Sequence, residues 1–362
     1  MPETDWIDRP KPVREGEAPD HDRLATFLYD RLGLDGALAV EQFPSGYSNL
    51  TYLLRVGSGE AARELVLRRP PPGAPPGGHD MEREYTVLRK LHGRFPVPEP
   101  LVYTDDESVL GAPFYVMERV RGVILRAQMP SAMQPDAGMM SGIADAFVDT
   151  FAALHGVDLE AAGLDDFGQP EGYVQRQVAG WTRRYERAQT DDVPEVERVA
   201  AWLAEHQPGE SAAALIHNDY KYDNLVLDPD DWTRVRAVLD WEMATVGDPH
   251  MDLGSSLGYW VESSDPSVLQ MLALSPTTLP GNPTREELVA RYEEATGRAV
   301  DDAVFYYAYG LFKLIGIVQQ IYKRYVLGHT SDERFAGLIH AVRVCAQTAE
   351  RAIERGRISD LG

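Results

Sequence analysis

The hydrophobic pattern of this chain changes once, near Gly122, and that change limits what it can fold into. Before it, short runs of β-branched and alternating residues sit between turn signals. Thr51–Val56 and Glu64–Arg68 flank the turn Gly57–Gly59, and Tyr115–Val120 ends at Arg121-Gly122. Two helical stretches accompany these strands: His21–Leu32, with Leu24, Phe27 and Leu28 on one face, and Met81–Leu91. After Gly122 the spacing is helical. Ser141–His155 lines up Ile143, Phe147, Phe151 and Leu154, and Asp301–Tyr325 and Asp332–Arg355 follow. One small hairpin interrupts, Leu225–Leu227 and Val235–Leu239 around a Pro-Asp-Asp turn. This order predicts an α+β fold of two lobes, a small β-rich one and a larger, mainly helical one. Residues 1–20 read as a flexible lead-in, 21–117 as the N-lobe, 118–122 as a hinge and 123–362 as the C-lobe.

Charge narrows the partners. With 57 acidic against 35 basic residues, the net charge is −22. Nucleic acids and anionic membranes call for a basic patch, so neither is an expected partner. The single cysteine, Cys345, allows no internal disulfide and reads as a small core residue. The polar start lacks the apolar stretch of a signal peptide, so a cytoplasmic location is expected. Ala303–Val318 is the most apolar stretch, but it is short, tyrosine-rich and contains Lys313, which favours a buried helix over a membrane span. Oligomeric state is not legible.

The chemistry is concentrated in His217-Asn-Asp-Tyr-Lys-Tyr-Asp-Asn224 and Val238-Leu-Asp-Trp-Glu242. Asp219 and Asn224 share a polar loop between an apolar strand and the hairpin, and Asp240 stands at the far end of that hairpin. Because the hairpin folds back, an amide and two carboxylates are brought to one point. Phosphoryl transfer from ATP needs such a set: a carboxylate to orient and deprotonate a hydroxyl, and hard oxygens for magnesium, which keeps several waters.

His-x-Asp-x-x-x-x-Asn followed by Leu-Asp-Trp-Glu resembles the catalytic loop and metal-binding Asp of the kinase-like superfamily, in its aminoglycoside phosphotransferase and choline kinase branch. Further segments are similar to the kinase-like domain fused to some acyl-CoA dehydrogenases: Ser-Gly-Tyr-Ser-Asn-Leu-Thr-Tyr at 45–52, Leu-Val-Leu-Arg-Arg-Pro at 65–70, Glu-Arg-Glu-Tyr at 82–85, Gly-Asp-Pro-x-x-Asp-Leu at 247–253 and Gln-Gln-Ile-Tyr-x-Arg-Tyr at 319–325. The resemblance covers roughly residues 40–330. It implies a protein-kinase-like fold with a nucleotide-binding N-lobe, and a C-lobe bearing the catalytic loop and acceptor site. It implies ATP and Mg2+ as cofactors and a small-molecule hydroxylated acceptor as partner.

Residue by residue, the resemblance makes Asp219 the catalytic base or hydroxyl-orienting group, and Asn224 and Asp240 the magnesium ligands. His217 braces the loop, and Asp252 bonds to it from a helix start. Ser45, Gly46, Ser48 and Asn49 belong to the phosphate-covering loop, and backbone groups of Glu118 and Val120 meet adenine. Where the family carries a phosphate-gripping lysine this chain has Arg68; strand alternation puts Val66 on the same face, toward adenine. Glu84 is the expected partner of Arg68, with Glu82 as the alternative. Arginine is a permanent cation with a planar fork, so it can hold phosphates but is not a lysine equivalent.

Several positions stay open. Glu242 fits either a surface or capping role or an approach to metal or substrate. Lys221 and Tyr222 fit contacts to substrate or phosphate. His155 reads as packed, and Tyr306, Tyr307, Tyr309 and Phe312 as a packed helix, part of which could line the acceptor pocket. The resemblance implies a hydroxy acid or its coenzyme A thioester as acceptor, with Lys313, Lys323 and Arg324 as candidate rim cations. The wider family implies an aminoglycoside or amino alcohol instead. A non-catalytic nucleotide-binding regulator is the alternative to an enzyme, and the missing Asp-Phe-Gly and Ala-Pro-Glu signals speak against a protein kinase.

Overall fold

A computed structural model describes residues 9–43, 49–59, 62–71, 79–127, 129, 133–209, 211–330 and 332–362. Ser45, Gly46 and Ser48, and residues 72–78 of the proline- and glycine-rich loop, lie outside the described residues. Internal contacts divide the chain into two units. One comprises Met1–Ile124, Leu225–Asp231 and Val235–Ala244; the other comprises Leu125–Asn224, Trp232–Arg234 and Thr245–Gly362.

The first unit is built on an antiparallel sheet of β1 (Leu38–Gln42), β2 (Leu50–Val56), β3 (Arg63–Arg69), β4 (Pro100–Thr104) and β5 (Phe114–Glu118), in the order β1-β2-β3-β5-β4. The two strands of this sheet that are absent from the sequence reading, β1 and β4, are its edges. An edge strand is half solvated, so its alternation is weak, and it tolerates a proline such as Pro100. Helix α1 (His21–Leu32) is capped by Asp20, which accepts the Arg23 N–H, and ends at Gly33 in the left-handed region. Its Leu24, Phe27 and Leu28 pack with Tyr52, Leu54, Leu65, Leu67, Phe114 and Val116 from one face of the sheet. Helix α2 (Met81–Leu91) packs near β4 and β5, and the single turn α3 (Glu107–Leu110) lies against α1.

The hairpin of β7 (Leu225–Leu227) and β8 (Val235–Val238), placed in the C-lobe by the sequence reading, packs with this first unit. Val123 and Leu227 exchange backbone hydrogen bonds of 2.9 and 2.8 Å, and the Val238 N–H donates to Pro96 O at 2.8 Å. Trp241 meets Phe95 edge to face at 5.8 Å. Asp240 is thereby held in the same unit as β3 and α2.

The second unit contains the two-stranded pair β6 (Ala214–Ile216) and β9 (Thr245–Gly247). Its helices are α4 (Ala137–His155), α5 (Leu159–Ala162), α6 (Tyr173–Ala188), α7 (Pro194–Glu205), α8 (Pro249–Tyr259), α9 (Ser267–Met271), α10 (Arg285–Thr296), α11 (Ala303–Val326) and α12 (Leu338–Arg355). The helix long and apolar enough to cross a membrane is α4, not 303–318. Its Met140, Ile143, Phe147, Phe151 and Leu154 are nonetheless core residues. Cys345 is buried on α12, and burial pushes its thiol up to about 12, as befits a packed, unreactive residue.

Helices α8 and α11 touch backbone to backbone. A β-carbon at Gly310 would lie 1.8 Å from Gly254 O, and one at Gly254 would lie 2.2 Å from Tyr306 O. Both oxygens are main chain, so no side-chain rotation relieves the overlap. Gly310→Ala is therefore expected to force the helices apart and destabilise the protein by at least about 3 kcal/mol, the upper end for overpacking. Thermal unfolding checks this; a melting temperature equal to the parent's would refute the close crossing.

Candidate active site

The first unit supplies a buried cation. Arg68 and Val66 share the sheet face opposite Leu65 and Leu67, as alternation requires. Arg68 is 7% exposed, and its Nη1 donates to Glu84 Oε1 at 2.6 Å and its Nη2 to Asp240 Oδ1 at 2.9 Å. Burial alone would lower the proton affinity of Arg68, but the carboxylates of Glu84 and Asp240 hold it well above the ordinary arginine value. Glu84 is buried, whereas Glu82 is exposed on the outer face of α2. Asp240 sits in the left-handed region (φ 67), one of the few side-chain-bearing residues here to do so. Such geometry is costly and is concentrated at functional positions.

Asn49 is buried as well. Its Nδ2 donates to Glu242 Oε2 at 2.9 Å, and His79 Nδ1 lies 2.9 Å from its Oδ1. An amide engaged at both ends braces the end of a loop. The same contact gives Glu242 a bracing role. At the end of β5, the Glu118 N–H donates to Glu99 O at 2.9 Å, and its side chain pairs with Arg63. Val120 follows in irregular backbone and is half-buried.

In the second unit, the loop after β6 is pinned from below. The helix α8 starts at Asp248, whose side chain accepts the N–H groups of His250 and Met251, with Pro249 at the first helical position. This sets Asp252 under the loop, where its carboxylate accepts the His217 N–H and the Asn218 N–H, both at 2.6 Å. Burial pushes the Asp252 pKa up, but hydrogen bonding and charge from His155 and His217 win and hold it below the usual aspartate value. His155 bridges Asp252 (3.2 Å) and Tyr292 (2.7 Å) and is buried, in keeping with a packed histidine. His217 accepts the Asp219 N–H on Nδ1 at 3.2 Å, so it braces the loop from inside. Tyr220 stacks on Phe151 at 4.2 Å and donates to Phe147 O.

Asp219 and Asn224 come together. The Asn224 Nδ2 donates to Asp219 O at 2.8 Å and to Asp219 Oδ2 at 3.0 Å. Both neighbours are acceptors only, which fixes the amide flip and turns the Asn224 Oδ1 away from them. Lys221 Nζ also lies on Asp219 Oδ2 and sits over the Tyr259 ring. Both contacts to the carboxylate fall on Oδ2 rather than Oδ1 of Asp219. Burial pushes the neighbouring Asp223 up to about 6, with Lys221 opposing.

Two sequence readings change here, those of Tyr222 and Lys313, while the packed-helix reading of the α11 aromatics is met. Tyr222 is buried and donates to Asn282 Oδ1 at 2.9 Å, so it packs rather than facing substrate. Tyr306, Tyr307, Tyr309 and Phe312 are all core residues. Lys313, expected at a pocket rim, is 2% exposed, and its ammonium donates to Asn218 O and to Ser255 Oγ. The reason is the α8–α11 crossing, which turns that face of α11 inward. A signal was present: Lys313 is the lone charge in an otherwise apolar stretch, and a buried ammonium needs acceptors. Lys323 donates to Arg187 O, and Arg324 is exposed.

Two features fit a magnesium nucleotide. The Arg68 Nε–H is buried without a hydrogen-bond partner, and the Asn224 Oδ1 is a hard oxygen turned out of its own loop. Among the described residues no group of three or more His, Cys, Asp or Glu gathers into a metal cage.

An antiparallel sheet unit with an ion-paired cation, and a helical unit whose loop holds a carboxylate against an amide and an ammonium, define a kinase-like small-molecule phosphotransferase. Residues 39–288 match the family model described as the phosphotransferase enzyme family, and the chain belongs to that family. A putative aminoglycoside phosphotransferase from Ralstonia eutropha has 33% sequence identity and a TM-score of 0.78, covering 93% of this chain and 99% of its own. Choline kinase from Cryptosporidium parvum shares the fold at 12% identity, with a TM-score of 0.62 over 94% of this chain and 98% of its own. Among curated proteins, acyl-CoA dehydrogenase family member 10 of Mus musculus is 37% identical over 328 residues, 89% of this chain and 30% of that protein. Acyl-CoA dehydrogenase family member 11 of Gallus gallus is 39% identical over 305 residues, 82% of this chain and 38% of that protein. The chain thus spans well under half the length of these relatives.

Proposed function

We propose that this protein transfers the γ-phosphoryl group of ATP, with Mg2+, to a hydroxyl of a hydroxy acid or of its coenzyme A thioester. The observation that carries the reading is the Asp219 carboxylate, clamped on Oδ2 by Lys221 and Asn224. Asp219 Oδ1 orients the acceptor hydroxyl and takes its proton as the oxygen attacks phosphorus. The Lys221 ammonium offsets the negative charge gathered there. Arg68 grips phosphate oxygens through its fork while Glu84 holds it in place, and the carbonyl of Glu118 and the N–H of Val120 meet the base. Asn224 and Asp240 are assigned to magnesium, which when bound would neutralise phosphate charge.

Two observations support an acidic acceptor. The curated relatives are named as acyl-CoA dehydrogenases, and a kinase domain within such a protein suits a hydroxylated acyl substrate. Lys221 also sets an ammonium beside the Asp219 carboxylate, where an anionic acceptor would meet a positive charge. The similarity to a protein titled a putative aminoglycoside phosphotransferase supports a second reading, a cationic acceptor. Magnesium-dependent ATP consumption against hydroxy acids, their coenzyme A thioesters, amino alcohols and aminoglycosides separates the two. Turnover with the first two classes is the expected result. Turnover confined to the cationic classes would overturn the acidic acceptor.

A further inference from the structure

The peptide that carries Asp219 is held by a residue on a distant helix. Asn218, immediately before Asp219, is in the left-handed region (φ 65), where a side-chain-bearing residue sits only under constraint. Each of its polar groups is tied. Its N–H donates to Asp252 Oδ1 at 2.6 Å, and its side chain meets the Tyr173 hydroxyl at 3.1–3.2 Å. Its carbonyl accepts from the Lys313 ammonium, which also donates to Ser255 Oγ at 3.2 Å. Lys313 is buried on α11, and the Gly310–Gly254 crossing one turn away fixes its height against α8.

We infer that Lys313 is a positioning residue for phosphoryl transfer, setting the 218–219 peptide so that Asp219 faces the acceptor hydroxyl. The inference rests on the proposed role of Asp219. Stability does not account for this lysine. Burial pushes its ammonium down to about 8, against the pull of the Asp219 and Asp252 carboxylates, so the charged form is costly to keep inside. An apolar side chain of similar length would fill the same space and remove that desolvated charge, which offsets the cost of leaving the Asn218 carbonyl without a donor. What it could not do is bind the Asn218 carbonyl, and a loop loosened there misplaces the carboxylate that the reaction needs.

The test compares Lys313→Met, Ser255→Ala and Asp219→Asn with the parent, following phosphate release from Mg·ATP in water, Mg·ATP affinity by calorimetry, and thermal unfolding. Lys313→Met is expected to fold with a Tm within about 5 °C of the parent, to keep KM for ATP within about threefold, and to lose at least about 30-fold in kcat. Ser255→Ala, which removes one of the two ammonium acceptors and is safe for folding, is expected to lose about three- to tenfold in kcat at unchanged Tm. A purely structural lysine gives the opposite pattern, a large fall in Tm with kcat per folded molecule unchanged, and that result overturns the inference. So does a parental kcat in both variants. Asp219→Asn reports on the underlying reading separately: if it turns over like the parent, the role of Asp219 fails, whatever Lys313→Met shows.

Discussion

Asp219→Asn is expected to cut turnover by about three orders of magnitude while Mg·ATP affinity stays within a few-fold of the parent. The substitution keeps the volume and leaves the braces of the loop in place, since His217, Asn218 and Asp252 hold it through backbone groups. What disappears is the only charged oxygen pair clamped by Lys221 and Asn224, and with it a base to take the hydroxyl proton. The amide can keep its oxygen toward Lys221 and Asn224, both donors, and it then places an NH2 where Oδ1 stood. Loss in kcat with binding retained marks a group acting on the reaction rather than on the nucleotide. If ATP binding collapsed with the rate, Asp219 would belong to the nucleotide site. If the rate survived, another residue would be the base.

Arg68→Met should be the most damaging single change in the first unit. It leaves the buried Glu84 carboxylate without its counter-ion and releases Asp240 from a 2.9 Å contact. Breaking a buried pair from one side costs about 3–5 kcal/mol, because the remaining charge stays desolvated. Mg·ATP binding should fall below detection, since the phosphate-facing cation is gone and the orientation of Asp240 with it. Arg68→Lys should be intermediate. A single ammonium can meet Glu84 but lacks the fork that spans to Asp240, so weaker nucleotide affinity with smaller destabilisation is expected. Calorimetry and thermal melts on the two variants check both effects. An Arg68→Met protein that melts with the parent and binds Mg·ATP normally would exclude Arg68 from both roles.

How much of this was legible in the sequence follows from the range of each signal. α1 and α2 were readable to the residue, because Asp20 and Asp80 cap their starts and Gly33 ends the first, all local chemistry. The pairing of Arg68 with Glu84 was implied by the family resemblance, with Glu82 as the alternative, and the structure has the Glu84 pair. The Asp219–Asn224 spacing put both residues in one loop, and the structure joins them by hydrogen bonds. β1 and β4 were missed because edge strands carry half a hydrophobic signature. The burial of Asn49 against Glu242 and the link from Arg68 to Asp240 had no local sign, and the lone charge of Lys313 in an apolar stretch signalled burial but not its partner, Asn218. Each joins segments far apart in the chain, and such contacts depend on how elements cross. The sequence by itself determined most of the elements, the 217–224 loop and, through its motifs, the family of reaction, because periodicity, caps and motif spacing act over a few residues. Only the tertiary structure decided which buried polar groups meet, because backbone contacts such as Gly254–Gly310 set the depth and rotation of the helices that bear them.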